Sequence, residues 1–203
     1  MRSRLATLAL LAAALPEGRA FAQAPAPPAG LLERVVAVVD DRPLFLSDVR
    51  ALSAARGLPE ESAVEAAIDE RLMYAEAARL AEAEVPREEE DRALAAVLAA
   101  HPGLAEQVPE ADLRRLLRRQ ATVLKYVEFR FRPQVRVSDD DIRRAWEADE
   151  AGRPAGVPLE DAQEALRARL ERRVLDERIE AWVRDLRARA DVRTVAAPPP
   201  RRR

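Results

Sequence analysis

The densest run of β-branched residues lies between Arg34 and Arg50, where the sequence reads RVVAVVDDRPLFLSDVR. Four valines between positions 35 and 39 favour a strand, because branched side chains pack well on a pleated surface. Asp40 to Pro43 are typical of a turn, and Leu44 to Leu46 can return as a second strand before Ser47 caps a helix that begins at Asp48. The pattern predicts a β-hairpin that leads into a helix.

An isolated hairpin is only marginally stable in water, so this one needs a third strand or helices to cover its apolar face. Two later segments have the composition of a strand, Gln134 to Val137 and Asp191 to Val195. Pairing of the second segment with the hairpin would bring the two ends of the chain together.

Most of the remaining chain has the 3.6-residue periodicity of amphipathic helices. Gly and Pro residues mark the expected ends of these helices. Their positions predict helices over 47–56, from Pro59 to Val85, from Pro86 to Ala100, and from Pro109 onward. The last two helices are predicted to form a helical hairpin. Ser138 to Asp141 matches the capping pattern [ST]-x-x-[DE] and predicts another helix start. A final helix of about thirty residues beyond Pro158 carries a row of apolar side chains. These are Leu159, Leu166, Leu170, Val174, Ile179, Trp182, Val183 and Leu186.

The first 22 residues have the pattern of a secretory signal peptide, with positive charges at Arg2 and Arg4, an apolar run over 5–15 and Ala20-Phe21-Ala22 at the cleavage position. We predict a soluble exported protein that begins at Gln23. A Pro- and Ala-rich linker over 23–31 would precede one folded module over 32–195 and a disordered tail over 196–203. No later stretch approaches the ~20 apolar residues that a membrane-spanning helix needs, so no stable membrane insertion is expected.

The amino-acid composition limits the kinds of functional site and partner that this chain can have. The chain has no cysteine, which excludes disulfides, thiolate metal sites and cysteine nucleophiles. Its single histidine, His101, precedes Pro and Gly and is interpreted as an exposed turn residue. The formal net charge of −2 becomes more negative once the arginine-rich leader is removed, which argues against a nucleic-acid partner.

Clusters of like charge have structural explanations. The arginine band at positions 114, 115, 118 and 119 is explained by a solvated face or by acidic partners on the preceding helix. The three aspartates at 139–141 are assigned to helix capping, because the glycine and distal glutamate of an EF-hand calcium loop are missing. No glycine-rich loop is present to hold a phosphate, and we expect no cofactor and no metal.

Five segments occur in a recognisable order: RVVAVVDDRPLFLSDVR, AIDERLMYAEAARLA, EV ahead of an acidic helix, RVSDDDI, and EAWVRDLRARADVRTV. Together they resemble the SurA-type periplasmic chaperones over about Leu32 to Val195. The resemblance implies a mainly α fold, a SurA N-terminal-like helical module whose small β-hairpin is completed by the C-terminal helix and strand. Relatives commonly carry parvulin prolyl-isomerase domains before the final helix. Only 146–158 are available here, too few for a domain, so we expect neither a parvulin domain nor enzyme activity.

The resemblance implies an ATP-independent periplasmic holdase that binds unfolded outer-membrane or secreted proteins and assists outer-membrane protein assembly. Apolar side chains on the helical arms would bind the clients, although core packing is the competing interpretation for each of them. The candidates are Met73, Tyr74, Leu94, Val97, Leu98, Leu113, Leu117 and Leu124.

Two other functions stay open. The first is a periplasmic interaction or assembly module for one specific partner, without general chaperone activity. The second is an enzyme that uses paired carboxylates, which is disfavoured because the acidic residues mostly occupy helix starts and polar faces. The number of unrelated unfolded proteins that this protein binds distinguishes the holdase from the single-partner module.

Overall fold

The computed structural model describes residues 33–148 and 158–195, which form a mainly helical body with a small antiparallel sheet. The predicted signal peptide, the linker and the tail, and residues 149–157, lie outside the described residues. The strands are β1 (Val35–Val39), β2 (Arg42–Phe45) and β3 (Val192–Thr194). The helices are α1 (Leu46–Arg56), α2 (Glu60–Ala77), α3 (Arg87–Ala100), α4 (Leu104–Gln107), α5 (Glu110–Arg130), α6 (Asp139–Ala148) and α7 (Leu159–Arg189), with short 3₁₀ turns at Ala81–Ala83 and Arg132–Gln134.

The sheet has the order β2-β1-β3, so the first strand lies between the hairpin partner and a strand from the far end of the chain. Asp40 and Asp41 have φ of 46° and 61°, the left-handed region that a tight hairpin turn requires and that aspartate tolerates. The Asp40 N–H donates to the Asp191 carbonyl at 2.9 Å, and the Asp191 N–H donates to Asp40 Oδ1 at 2.9 Å. The predicted hairpin and its closure by Asp191 to Val195 are confirmed.

The strand expected over 134–137 is wrong. Arg132–Gln134 form a 3₁₀ turn, and Pro133 lacks the N–H that a strand ladder would use. Val137 instead packs against the apolar residues between α6 and α7. Partial burial of its side chain, and not strand pairing, therefore explains Val137.

The start of α1 also differs from the prediction. The helix begins at Leu46 and its N-cap, Phe45, makes no side-chain cap. The Glu33 carboxylate takes that role, because Oε1 accepts the Ser47 N–H at 3.4 Å and the Arg34 N–H at 3.0 Å. Partial burial raises the pKa of the Glu33 carboxyl, but the hydrogen bonds from Ser47 and Arg34 outweigh it, and the net shift is downward.

Helix α2 ends at Ala77, well before the predicted stop at Val85. The 3₁₀ turn over 81–83 packs against α5, and both Ala83 and Val85 are buried. Tertiary packing has overridden the helical periodicity of this segment.

The apolar residues form two clusters. The main core combines β1, β2 and α1–α5 with Leu186 of α7, and Trp182 packs at its margin. A second cluster joins Ile142 of α6 to Leu166 and Leu170 of α7. Helix α7, about 46 Å long at 1.5 Å per residue, therefore contacts α6 with its first half and the main body with its second.

Helix α6 begins with the predicted capping box. Ser138 Oγ accepts the Asp141 N–H at 3.2 Å, and Asp141 Oδ2 accepts the Ser138 N–H at 2.9 Å. Hydrogen bonds from Ser138 and then from Arg144 lower the pKa of Asp141 from 3.8 to about 2. The capping assignment for this segment is confirmed.

Removal of the cap, Ser138→Ala, is expected to raise the pKa of Asp141 from about 2 towards 3.8. The folded-state pKa is depressed, so the wild-type stabilisation is present above 3.8 and is lost as the pH falls towards 2. Carboxyl-carbon NMR titration measures the midpoint directly, and thermal melts across the same pH range follow stability. Ser62→Ala, at an exposed serine of α2, is the control. An identical Asp141 titration in both variants would contradict the cap assignment.

Candidate functional site

Three aromatic rings meet where the end of α5 contacts α7. The centroids of Tyr126 and Trp182 lie 4.9 Å apart with an interplanar angle of 18°, a stacked arrangement. The centroid of the Phe131 ring lies 5.4 Å from that of Trp182, with an interplanar angle of 56°. It lies 6.0 Å from the centroid of Tyr126, with an interplanar angle of 74°. All three side chains are only half-buried, so part of each ring faces solvent. We call this feature the aromatic groove.

The local sequence explains the position of each ring. Tyr126 lies on the last turns of α5, which ends at Arg130, and Phe131 leaves the helix as its C-cap residue ahead of Pro133. Gln134 Nε2 donates to the Arg130 carbonyl at 2.6 Å, and its Oε1 accepts from Arg178 Nη1 at 3.1 Å. The 3₁₀ turn is thus fastened to both α5 and α7, which holds the rings together.

Around the rings lies an open space of about 360 Å³ with a charged rim. The rim residues are Glu76, Arg130, Arg178, Asp185 and Arg189. A groove with an aromatic floor and a polar rim matches the general anatomy of protein-binding surfaces, in which aromatic side chains supply contact area and the rim stays hydrated. The arrangement is suited to binding a polypeptide segment.

The rim acids already have partners. Glu76 Oε2 lies 3.2 Å from Arg79 Nη1, and Asp185 Oδ2 lies 2.7 Å from Arg189 Nη2. Arg178 bonds only the side chain and carbonyl of Gln134, and no carboxylate of the described residues pairs with Arg130. The groove therefore has two arginine side chains that pair with no acid among residues 33–148 and 158–195.

The predicted client-binding residues are distributed differently. Leu94, Val97, Leu113 and Leu117 are buried in the main core. Met73 and Leu98 are partly buried against that core, Tyr74 is half-buried, and Leu124 is 39% exposed. None of these eight residues lines the aromatic groove. Their role in client binding stays a prediction, and Leu124 presents the most exposed side chain among them.

A cluster of buried charges lies elsewhere, between α1, α2 and α5. Arg119 Nε donates to Glu70 Oε1 at 2.7 Å, and Arg119 Nη1 donates to Asp48 Oδ1 at 3.2 Å. Arg71 Nη2 donates to Asp48 Oδ2 at 3.1 Å, and Gln120 Nε2 donates to Glu70 Oε2 at 3.4 Å. Each carboxylate oxygen thus accepts a hydrogen bond, which is typical of a structural ion network.

Burial and charge act in opposite directions on the two arginines. Burial lowers the pKa of Arg119, but the charge and hydrogen bond of Glu70, followed by those of Asp48, raise it above its ordinary value. Burial also lowers the pKa of Arg71, and in this case the attraction of Asp48 does not compensate. Arg119 pairs with both buried acids, whereas Arg71 pairs with Asp48.

The arginine band of α5 divides into two groups. Arg114 contacts Asp91 and Glu90, and Arg118 approaches Glu90 at 3.7 Å, so acidic partners on α3 are confirmed. Arg119 is 8% exposed and does not belong to a solvated face. The four arginines look alike in the sequence, and only the packing of α5 against α1 and α2 separates the last one.

Sequence reasoning did not identify the aromatic groove. Trp182 is interpreted there only as one of the apolar row of α7. A signal was present, because aromatic residues are only 4% of the chain and three of them lie within six positions at the end of α5, Tyr126 and Phe131 included. Their contact with Trp182 depends on how α5 and α7 pack, which local periodicity does not show.

No protein-family model matches this chain, and no curated protein matches it. Within residues 33–148 and 158–195, no helix is both long and apolar enough to cross a membrane. The same residues contain no group of three or more histidine or acidic side chains placed to hold a metal ion. The aromatic groove and the order of the sequence segments are the features of this chain that bear on its function.

Proposed function

We propose that this protein is an ATP-independent periplasmic holdase that binds segments of unfolded outer-membrane or secreted proteins and assists outer-membrane protein assembly. The aromatic groove carries the proposal. Three half-buried rings each present part of their surface to solvent, and the neighbouring Phe129 is 54% exposed. Exposed clusters of large apolar side chains on soluble proteins commonly mark sites of interaction with other molecules.

Weak, repeated binding is the mode that such a groove supports. An apolar side chain that fills it gains about 1.5 to 3 kcal/mol, while association costs at least ~4 kcal/mol in lost freedom. Several client side chains must therefore contribute, and each contact stays easily reversible. Reversible contacts of this kind allow a client to leave without nucleotide hydrolysis.

Sequence features support the location and the class of client. Residues 1–22 have the pattern of a secretory leader, and the order of segments resembles SurA-type chaperones. Antiparallel closure of β1 by β3 is the arrangement that this resemblance implies. A chain of this kind would meet its clients after export and before they reach the outer membrane.

Groove substitutions provide the test. The wild-type protein is expected to suppress aggregation of at least two unrelated β-barrel proteins diluted from urea, without added nucleotide. The double variant Tyr126→Ala, Phe131→Ala is expected to lose most of that suppression, because two of the three rings are removed. Light scattering at several molar ratios provides the measurement, with thermal melts to confirm that the variant is folded.

Val195→Ser is the matched control, since this exposed apolar residue lies outside the groove and is not a client-binding candidate. Full suppression by that variant would place the activity in the groove. Equal suppression by the groove variant and the wild type would exclude the groove as the client site. Failure with every client, together with one stoichiometric periplasmic partner in a pull-down, would favour the single-partner assembly module.

A further inference from the structure

The two unneutralised arginines of the aromatic groove contrast with the arginines around them. Each of three neighbouring arginines pairs with a carboxylate. The distances are 2.8 Å from Arg132 Nη2 to Glu128 Oε1, 2.7 Å from Arg189 Nη2 to Asp185 Oδ2, and 2.9 Å from Arg187 Nη1 to Glu65 Oε2. Arg130 and Arg178 line the groove without a carboxylate partner in the part of the chain that the structure describes. The positive charge beside the rings is therefore available to a ligand.

Arg178 is also held in place. Its Nη1 donates to Gln134 Oε1 at 3.1 Å and its Nη2 donates to the Gln134 carbonyl at 3.4 Å. A guanidinium carries five N–H donors, so these two bonds leave others free. An arginine positioned in advance loses less side-chain freedom when it binds a carboxylate, which the planar guanidinium matches in shape.

We propose that the aromatic groove selects polypeptide segments in which an acidic residue neighbours an aromatic residue. This inference rests on the proposed function and adds the chemistry of the preferred client. The client ring packs against the stacked Tyr126 and Trp182, and the adjacent carboxylate pairs with Arg130 or Arg178. Glu76 and Asp185 do not attract a basic segment equally, because each already pairs with an arginine.

Three fluorescein-labelled twelve-residue peptides in a glycine–serine background test the selection. The first carries one tryptophan between two aspartates, the second has lysines in place of the aspartates, and the third has alanine in place of the tryptophan. Fluorescence anisotropy at low salt is expected to show about tenfold tighter binding of the first peptide than of either other peptide. The advantage over the lysine peptide is expected to shrink at 0.5 M salt, where exposed charges are screened.

Charge reversal assigns the effect to named residues. The variant Arg130→Glu, Arg178→Glu is expected to prefer the lysine peptide over the aspartate peptide. Arg92→Glu, Arg172→Glu changes the net charge equally at exposed arginines outside the groove, and this control is expected to keep the wild-type preference. Melting temperatures verify that both variants fold, and the peptide series on the wild-type protein decides the question if either does not.

The outcomes separate the two proposals. Equal affinity for the aspartate and lysine peptides would overturn the selection, and so would equal affinity for the peptide without tryptophan. Aggregation suppression that persists in either case would leave the holdase standing. A wild-type protein that suppresses aggregation but binds none of the peptides would also overturn the selection. Absence of both activities would reject both proposals.

Discussion

Arg119→Met is expected to destabilise the protein by about 3 to 5 kcal/mol, since it leaves the buried carboxylates of Asp48 and Glu70 without their shared counter-ion. Burial of an unpaired charge costs much more than the loss of a surface pair. Urea denaturation followed by circular dichroism measures the change in the free energy of unfolding. The expected loss is a large share of the ~5 to 15 kcal/mol that stabilises a typical domain.

Arg115→Met is the matched control on the same helix. Its side chain is 52% exposed and pairs with Asp112, so a change of at most about 1 kcal/mol is expected. Replacing the buried acids together with both of their arginines, as Asp48→Leu, Glu70→Leu, Arg71→Met, Arg119→Met, is expected to recover most of the stability, because no buried charge is then left without its partner. Equal stability of the two single variants would contradict the structural role of the ion network.

Deletion of residues 159–203 is expected to abolish cooperative unfolding. It removes β3 and four buried leucines of α7, Leu166, Leu170, Leu175 and Leu186. Burial of each leucine side chain stabilises the fold by about 1.5 to 3 kcal/mol, so the four together contribute ~6 to 12 kcal/mol before the cost of ordering the segment is subtracted. The net loss is smaller because the deleted segment is no longer ordered, but Ile142 of α6 loses its partners and β1 keeps only its hairpin partner.

Thermal melts and binding of a hydrophobic dye test the deletion, and removal of 196–203 alone is the control. Addition of residues 159–203 as a separate peptide is expected to restore part of the transition. A truncated protein that melts cooperatively at the full-length temperature would show that the N-terminal part folds independently. The single module predicted over 32–195 would then be wrong.

Features with local causes were predictable from the sequence. The valine run and the turn residues specify the hairpin, and Ser138 with Asp141 specifies the start of α6 through bonds between residues three apart. Closure by β3 was also predictable, because a hairpin of this size needs another strand and few segments have the composition to supply it. The mainly helical class follows from periodicity summed over long segments.

Features that depend on packing between distant elements were not predictable. Arg119 is indistinguishable from its neighbours until α5 packs against Asp48 and Glu70. The valines near position 135 favour a strand when read from the sequence, but Val137 is instead partly buried against the cluster that joins α6 and α7. The aromatic groove forms because Trp182 contacts the end of α5, more than fifty positions earlier in the sequence. A pattern of neighbouring residues does not show a contact between positions so far apart.

The hydrogen bond between Asp40 and Asp191 joins residues 151 positions apart, and this separation is expected to affect the order in which the elements fold. Closing a loop of that length costs about 4 kcal/mol of chain entropy, so contacts within α1–α5 are expected to form first and β3 last. Until then one edge of β1 is unpaired, and such an edge is a template for other extended chains. The final strand therefore both completes the sheet and protects the protein from association with itself.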